Sequence, residues 1–175
     1  MFDSKTIASK GYTLWLMPKG EIYKKFAGLI KRLAKQYNAP PFQPHVTLLG
    51  EIKQPEEEVI RKTEQLTLGK KSFPVTLRQI DYQDYHFRAL FVKAKVIKPL
   101  LSLHERAKKI FDIQNIPPYM PHLSLLYGNY PQEVKDKIIE EIGRHQTAQF
   151  EINSVHLVKG GKVKEWQIIR EFTFQ

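Results

Sequence analysis

The chain has no cysteine. That absence removes disulfides, thiolate nucleophiles, cysteine zinc sites and iron–sulfur clusters together, and it fits a reducing compartment. No apolar run approaches the roughly 20 residues of a membrane span. The opening stretch, MFDSKTIASK, lacks the apolar centre of a signal peptide. It reads as a short polar arm, the cytoplasm is the expected location, and no membrane partner is expected. There is no HExxH pattern and no metal-ligand spacing beside the chain's repeated motif, so the expectation is no metal and no cofactor. Lysines are spread through helical segments rather than run together, which leaves no nucleic-acid tail.

What is present is an ordinary globular composition: 42% hydrophobic and 26% charged residues over 175 positions. That is enough for one domain, or two small lobes sharing an interface. The net charge is +10. A solvated basic surface explains it, and so does a field that draws an anionic substrate into a cleft. Charge alone leaves phosphate-bearing small molecules and RNA equally open.

The informative feature is a repeat. PHVTLLG, Pro44 to Gly50, returns as PHLSLLYG, Pro121 to Gly128. Each copy follows a proline-rich loop, NAPPFQP or NIPPYMP, which forbids regular structure. The spacing predicts strands at Tyr12–Met17, His45–Ile52, Phe73–Tyr82, Phe87–Val96, the second histidine motif, Phe150–Lys159 and Val163–Phe174. The last two are expected to join at a Gly160-Gly161 turn. Helices are predicted over Glu21–Tyr37, Pro55 to about Leu68, Pro99–Phe111 and Pro131–Arg144. The class is α+β. A cut near residue 85 gives two similar parts, roughly 1–85 and 86–175. The expectation is a single bilobal domain with a central cleft, its lobes interdependent and open to strand exchange.

Strand residues two apart share a face, so His45 pairs with Thr47 and His122 with Ser124. Lobes related by pseudo-symmetry would turn both pairs into one cavity. That set suits in-line displacement at a phosphodiester, which needs a base on the attacking oxygen and an acid on the leaving oxygen. Imidazole serves either role near neutral pH, and a neighbouring hydroxyl can donate to non-bridging phosphate oxygens. His86, His104, His145 and His156 have no repeated context and read as surface or structural residues. Arg88 reads as an exposed strand residue within reach of a phosphate.

The two motifs, His45-Val46-Thr47 and His122-Leu123-Ser124, resemble those of the 2H phosphoesterase superfamily, and the likeness spans the whole chain. Within it the sequence looks most like the cyclic phosphodiesterases of plant and fungal type. The resemblance implies a bilobal fold of antiparallel sheet with outer helices. It implies hydrolysis of ADP-ribose 1″,2″-cyclic phosphate and of nucleoside 2′,3′-cyclic phosphates. It also implies His45 and His122 as catalytic residues, with His122 as base and His45 as acid. Thr47 and Ser124 become phosphate ligands. YTLWLMP suggests Trp15, and YHFRALFVK suggests Phe87, as substrate contacts. Tyr127 corresponds to a phosphate-site tyrosine, although simple alternation puts it on the face opposite His122. The expected partner is a small cyclic phosphate acted on by a monomer. The alternatives are a 2H enzyme working on RNA ends and a non-catalytic nucleotide binder.

Overall fold

The computed structural model describes residues 7–175; the first six residues of the predicted polar arm lie outside the described residues. From Ala8 that arm is already strand β1 (Ala8–Leu16). There follow α1 (Gly20–Gln36), β2 (Val46–Ile52), α2 (Glu56–Thr67), β3 (Phe73–Asp81) and β4 (Leu90–Ala94). Then come α3 (Lys98–Phe111), β5 (His122–Leu126), α4 (Gln132–Ile142), β6 (His145–Ile152), β7 (Ser154–Lys162) and β8 (Gln167–Thr173). The fold is α+β, as expected.

Each helix forms where one apolar stripe recurs at helical spacing. In α1 that stripe buries Phe26, Ile30, Leu33 and Ala34, and lysines face outward. Pro55 and Pro131 stand just before α2 and α4, where a missing N–H costs nothing. Residues from all four helices share one core with Leu14, Leu16, Val46, Leu48, Leu123 and Leu125 of the sheet. The opposite face of those strands is left to other work.

The described strands form one antiparallel sheet in the order β6-β3-β4-β5-β2-β1-β7-β8. Each half of that sheet draws on both parts of the chain: β1 and β2 sit with β7 and β8, and β3 sits with β4, β5 and β6. The halves meet where β2 pairs with β5, through Val46 and Leu123.

Three predicted elements are corrected. The strand expected from Phe87 begins only at Leu90, because His86–Arg88 is a tight helical turn closed by Arg88 N–H to the Tyr85 carbonyl at 2.9 Å. The strand expected over Phe150–Lys159 is two strands, β6 and β7, which change at Asn153 and lie in opposite halves of the sheet. β6 escaped notice because it is an edge strand with a polar outer face, only Ala148, Phe150 and Ile152 pointing inward. The chain does not turn at Gly160-Gly161 either. Both glycines lie inside β7, and the turn is at Val163–Glu165. Gly160 is needed for close approach: a Cβ there would lie 2.7 Å from the Gly11 carbonyl oxygen and 2.8 Å from that of Ser9.

Candidate active site

Val46 and Leu123 face each other across the β2–β5 junction and point into the core. Continuing this antiparallel register by one residue each way sets His45 beside Ser124 and Thr47 beside His122. All four side chains then share the face away from the core. The two motifs are therefore one square, with each hydroxyl across from the other strand's histidine.

The proline loops fix the rings. His45 Nδ1 lies 2.7 Å from the Gln43 carbonyl oxygen, and His122 Nδ1 lies 2.8 Å from that of Met120. A carbonyl only accepts, so Nδ1 carries the proton and Nε2 is the free nitrogen of the neutral ring. In both cases the acceptor precedes the motif's proline. A residue before proline is held extended, and proline has no N–H with which to compete. This is a physical reason for the proline in each copy of the repeat.

The paired leucines have a reason too. Trp15 pairs with Thr47 but Leu14 pairs with Leu49, so Leu48 is an extra residue in β2. Phe91 pairs with Ser124 but Leu90 pairs with Leu126, so Leu125 is an extra residue in β5. The same bulge thus occurs three residues after each histidine, and it reverses the alternation. Tyr127 consequently returns to the face of Ser124, which simple alternation denied it. The equivalent position in the first copy is Gly50.

Aromatic rings surround the square. Trp15 lies flat on His45, centroids 3.7 Å apart and planes within 7°. At 4% exposure its indole supports that ring and offers little surface of its own. Phe91 is its counterpart, opposite Ser124 as Trp15 is opposite Thr47, and packs on His122 at 4.9 Å. Phe42 of the first proline loop stacks on Tyr127 at 4.0 Å. Phe87, on its tight turn, meets Tyr127 edge-on at 5.3 Å. Trp166, just before β8, lies 6.1 Å from His45 and 5.8 Å from Tyr127. Phe42, Phe91 and Trp166 were not singled out from the sequence. Phe91 had a usable signal, since TLWLM of β1 and ALFVK of β4 align around the two aromatics. Phe42 and Trp166 had none, because loop closure alone brings them in.

The remaining histidines lie outside the square. His104 is buried and bonds the Leu48 carbonyl at 2.7 Å, stacking on Tyr119 at 3.9 Å. Tyr119 in turn donates to the Thr47 carbonyl at 3.0 Å. This pair braces β2 from behind at its bulge. His86 is buried against Phe87, His156 faces Glu171, and His145 is exposed.

Burial dominates the electrostatics. It lowers the His45 pKa from its ordinary value to about 3, assisted by the charge of His122 and opposed by the Gln43 carbonyl. Burial lowers His122 as well; the Met120 carbonyl opposes this and the Arg88 guanidinium adds to it. Tyr127 is pushed up by burial, with the Ser124 hydroxyl pulling the other way, so its phenol stays protonated. The free site thus favours uncharged imidazoles, is lined with aromatic rings and has the Arg88 guanidinium nearby. It lacks a negative charge where a phosphate would sit.

The family model of the 2′-5′ RNA ligase superfamily matches residues 18–164. The chain belongs to that superfamily. This bears out the 2H resemblance. An Arabidopsis thaliana cyclic phosphodiesterase is 28% identical over 130 residues, covering 74% of this chain and 72% of the relative. A 2′,3′-cyclic-nucleotide 3′-phosphodiesterase of Kluyveromyces lactis is 25% identical, covering 93% of this chain and 98% of that one. Among solved structures, a Thermus thermophilus protein superposes with a TM-score of 0.67 at 18% identity, covering 94% of this chain and 97% of its own. E. coli LigT complexed with 3′-AMP does so at 0.62 and 12%, covering 95% and 99%. These likenesses agree with the sheet and outer helices seen here. Among the described residues no helix is long and apolar enough to cross a membrane, and no three His, Cys, Asp or Glu side chains converge as metal ligands.

Proposed function

We propose that the protein is a cyclic phosphodiesterase that opens ADP-ribose 1″,2″-cyclic phosphate to ADP-ribose 1″-phosphate and nucleoside 2′,3′-cyclic phosphates to 2′-phosphates. The observation that carries this reading is the square of two hydroxyls and two imidazoles, each imidazole tied through Nδ1 and free at Nε2. The names of the two curated relatives support it.

In this reading the phosphate sits over the β2–β5 junction. Thr47 and Ser124 donate to its non-bridging oxygens, where charge is held in the transition state. One Nε2 takes a proton from water as its oxygen bonds to phosphorus. The other imidazole, protonated, gives its proton to the sugar oxygen as the ring P–O bond breaks. The resemblance assigns the base to His122 and the acid to His45. For His45 to act as acid it must gain the proton that burial denies it in the free protein, and the incoming anion supplies the opposing charge. Tyr127 adds a donor at the phosphate, Phe87 borders the sugar or base, and Trp15 keeps the His45 ring in plane.

The test is incubation in EDTA with adenosine 2′,3′-cyclic phosphate and with ADP-ribose 1″,2″-cyclic phosphate, products resolved by chromatography. The 2′- and 1″-phosphates are expected, and are lost in His45→Ala and in His122→Ala. Survival of both substrates with wild-type protein would turn attention to RNA ends. The charge of +10 keeps that second reading open, and it predicts steeply salt-dependent oligonucleotide binding.

A further inference from the structure

Lys135 of α4 is buried, the one lysine, arginine or carboxylate to be so among the described residues. A buried ammonium persists where a partner offsets its lost hydration. Here the partner is Asp84, whose side chain is otherwise 95% exposed, at 2.6 Å. The ammonium also lies 4.6 Å from the centre of the Tyr82 ring. Tyr82 and Asp84 stand where β3 gives way to the turn that leads to β4. A charge on α4 therefore holds the start of that turn, and neither Lys135 nor Asp84 belongs to the square.

The same turn reaches the second motif. The Phe87 carbonyl accepts the Ser124 hydroxyl at 3.3 Å, and the His86 carbonyl accepts the Gly128 N–H at 3.0 Å. Arg88 supplies a charge that acts on His122. Its guanidinium is placed by the two residues that flank Asp84. Nη1 donates to Gln83 Oε1 at 3.3 Å, and the guanidinium carbon lies 5.8 Å from the centre of the Tyr85 ring. The Gln83 N–H closes the turn on the Arg88 carbonyl at 2.9 Å. Other charges near His122 come from elsewhere: His45 from the first proline loop, and Lys93, its cross-strand neighbour on β4, which is paired with Asp81.

We propose that Lys135 and Asp84 are positioning residues for the second motif: their ion pair fixes the turn that sets the Arg88 guanidinium near His122 and the Phe87 carbonyl on Ser124. The consequence for catalysis rests on the phosphodiesterase reading. The placement itself can be tested without turnover.

The experiment follows the His122 ring by NMR in the substrate-free protein, its Cε1–H signal identified by its loss in His122→Ala, and reads its titration with pH. Asp84→Ala removes an exposed side chain and frees the turn. As a charge alone, the Asp84 carboxylate favours imidazolium, so its removal would lower the His122 midpoint. Release of Arg88 acts the other way, and the midpoint is expected to rise as it does in Arg88→Gln. Lys135→Met, an apolar chain of similar length, should raise it too. Arg88→Gln added to either variant should lose most of its effect, and Asp84→Glu should keep the wild-type midpoint. A midpoint that stays or falls in Asp84→Ala overturns the proposal, as does an Arg88→Gln shift that keeps at least half its size in that background. A merely structural pair would lower the melting temperature and leave the titration alone. The alkaline limb of kcat/KM for adenosine 2′,3′-cyclic phosphate should follow the midpoint. If wild-type protein does not open that substrate, the phosphodiesterase reading fails, and the NMR titration still decides the positioning.

Discussion

Turnover on one buried and one half-buried histidine should carry an unusual pH signature. The reaction needs one imidazole protonated and the other neutral. In the free protein burial sets the His45 pKa at about 3 and brings His122 below its ordinary 6.5. The pair therefore titrates in two steps, and the singly protonated form dominates between them. Because kcat/KM reports the free enzyme, it should plateau in the mildly acid range and fall tenfold per unit above the upper step. With that step below 6.5, the value at pH 8.5 is at most about one hundredth of the plateau. The substrate, a monoanionic diester, does not itself titrate there. Its bound charge favours imidazolium, so the kcat profile should be displaced to higher pH than that of kcat/KM. Arg88 contributes to the depression of His122; in Arg88→Gln the alkaline limb should move upward. The assay is product formation from adenosine 2′,3′-cyclic phosphate at constant ionic strength from pH 4 to 9. A kcat/KM that stays level from pH 6 to 8.5 would refute the reasoning, as would coincident kcat and kcat/KM limbs.

Ser124→Ala and Thr47→Val should each lower kcat about 10²-fold with smaller effects on KM, the loss of one transition-state donor; initial-rate kinetics on the folded variants checks this. Folding should depend on pH through the same burial. The unfolded His45 takes a proton below about 6.5 and the folded one only near 3, so the unfolded state binds more protons between those values. Stability should then fall as pH falls through that window, by up to roughly 5 kcal/mol from His45 alone; denaturant melts of wild type and His45→Gln should diverge in slope there. Replacing His104 by Phe leaves the Leu48 carbonyl without its donor and should cost about 2 kcal/mol, seen as a lowered urea midpoint. Gly11→Ala should lose at least as much: its φ is +68° and a Cβ would overlap the Ile52 carbonyl oxygen.

The elements with strong local signals could be read without coordinates. The stripe of Phe26, Ile30 and Leu33 defines α1 by its period alone. The proline loops mark where β2 and β5 must start, because no regular structure survives three prolines in seven residues. β6 failed the same test: an edge strand buries one residue in two and presents polar groups to solvent, so HQTAQ carries no strand signal and Phe150–Ile152 reads as the start of the next strand. Gly160-Gly161 failed for a different reason. Paired glycines signal a turn or a close approach, and only the position of β1 shows that here it is the second.

For the candidate site, the groups proposed to react could be read locally. A repeated Pro-His-x-Thr/Ser-Leu-Leu carries imidazole, hydroxyl, a carbonyl acceptor before proline and a bulge-forming leucine pair in one local unit, and local units are read locally. Tertiary structure decided everything that depends on distant strands meeting. It set His45 across from Ser124, brought Trp15 flat onto His45, and turned Tyr127 back to the site through a bulge visible only against β4. It delivered Phe42 and Trp166 from loops whose sequences announce nothing. It also set the charge of the histidines, since a pKa near 3 is a property of burial and not of the residue.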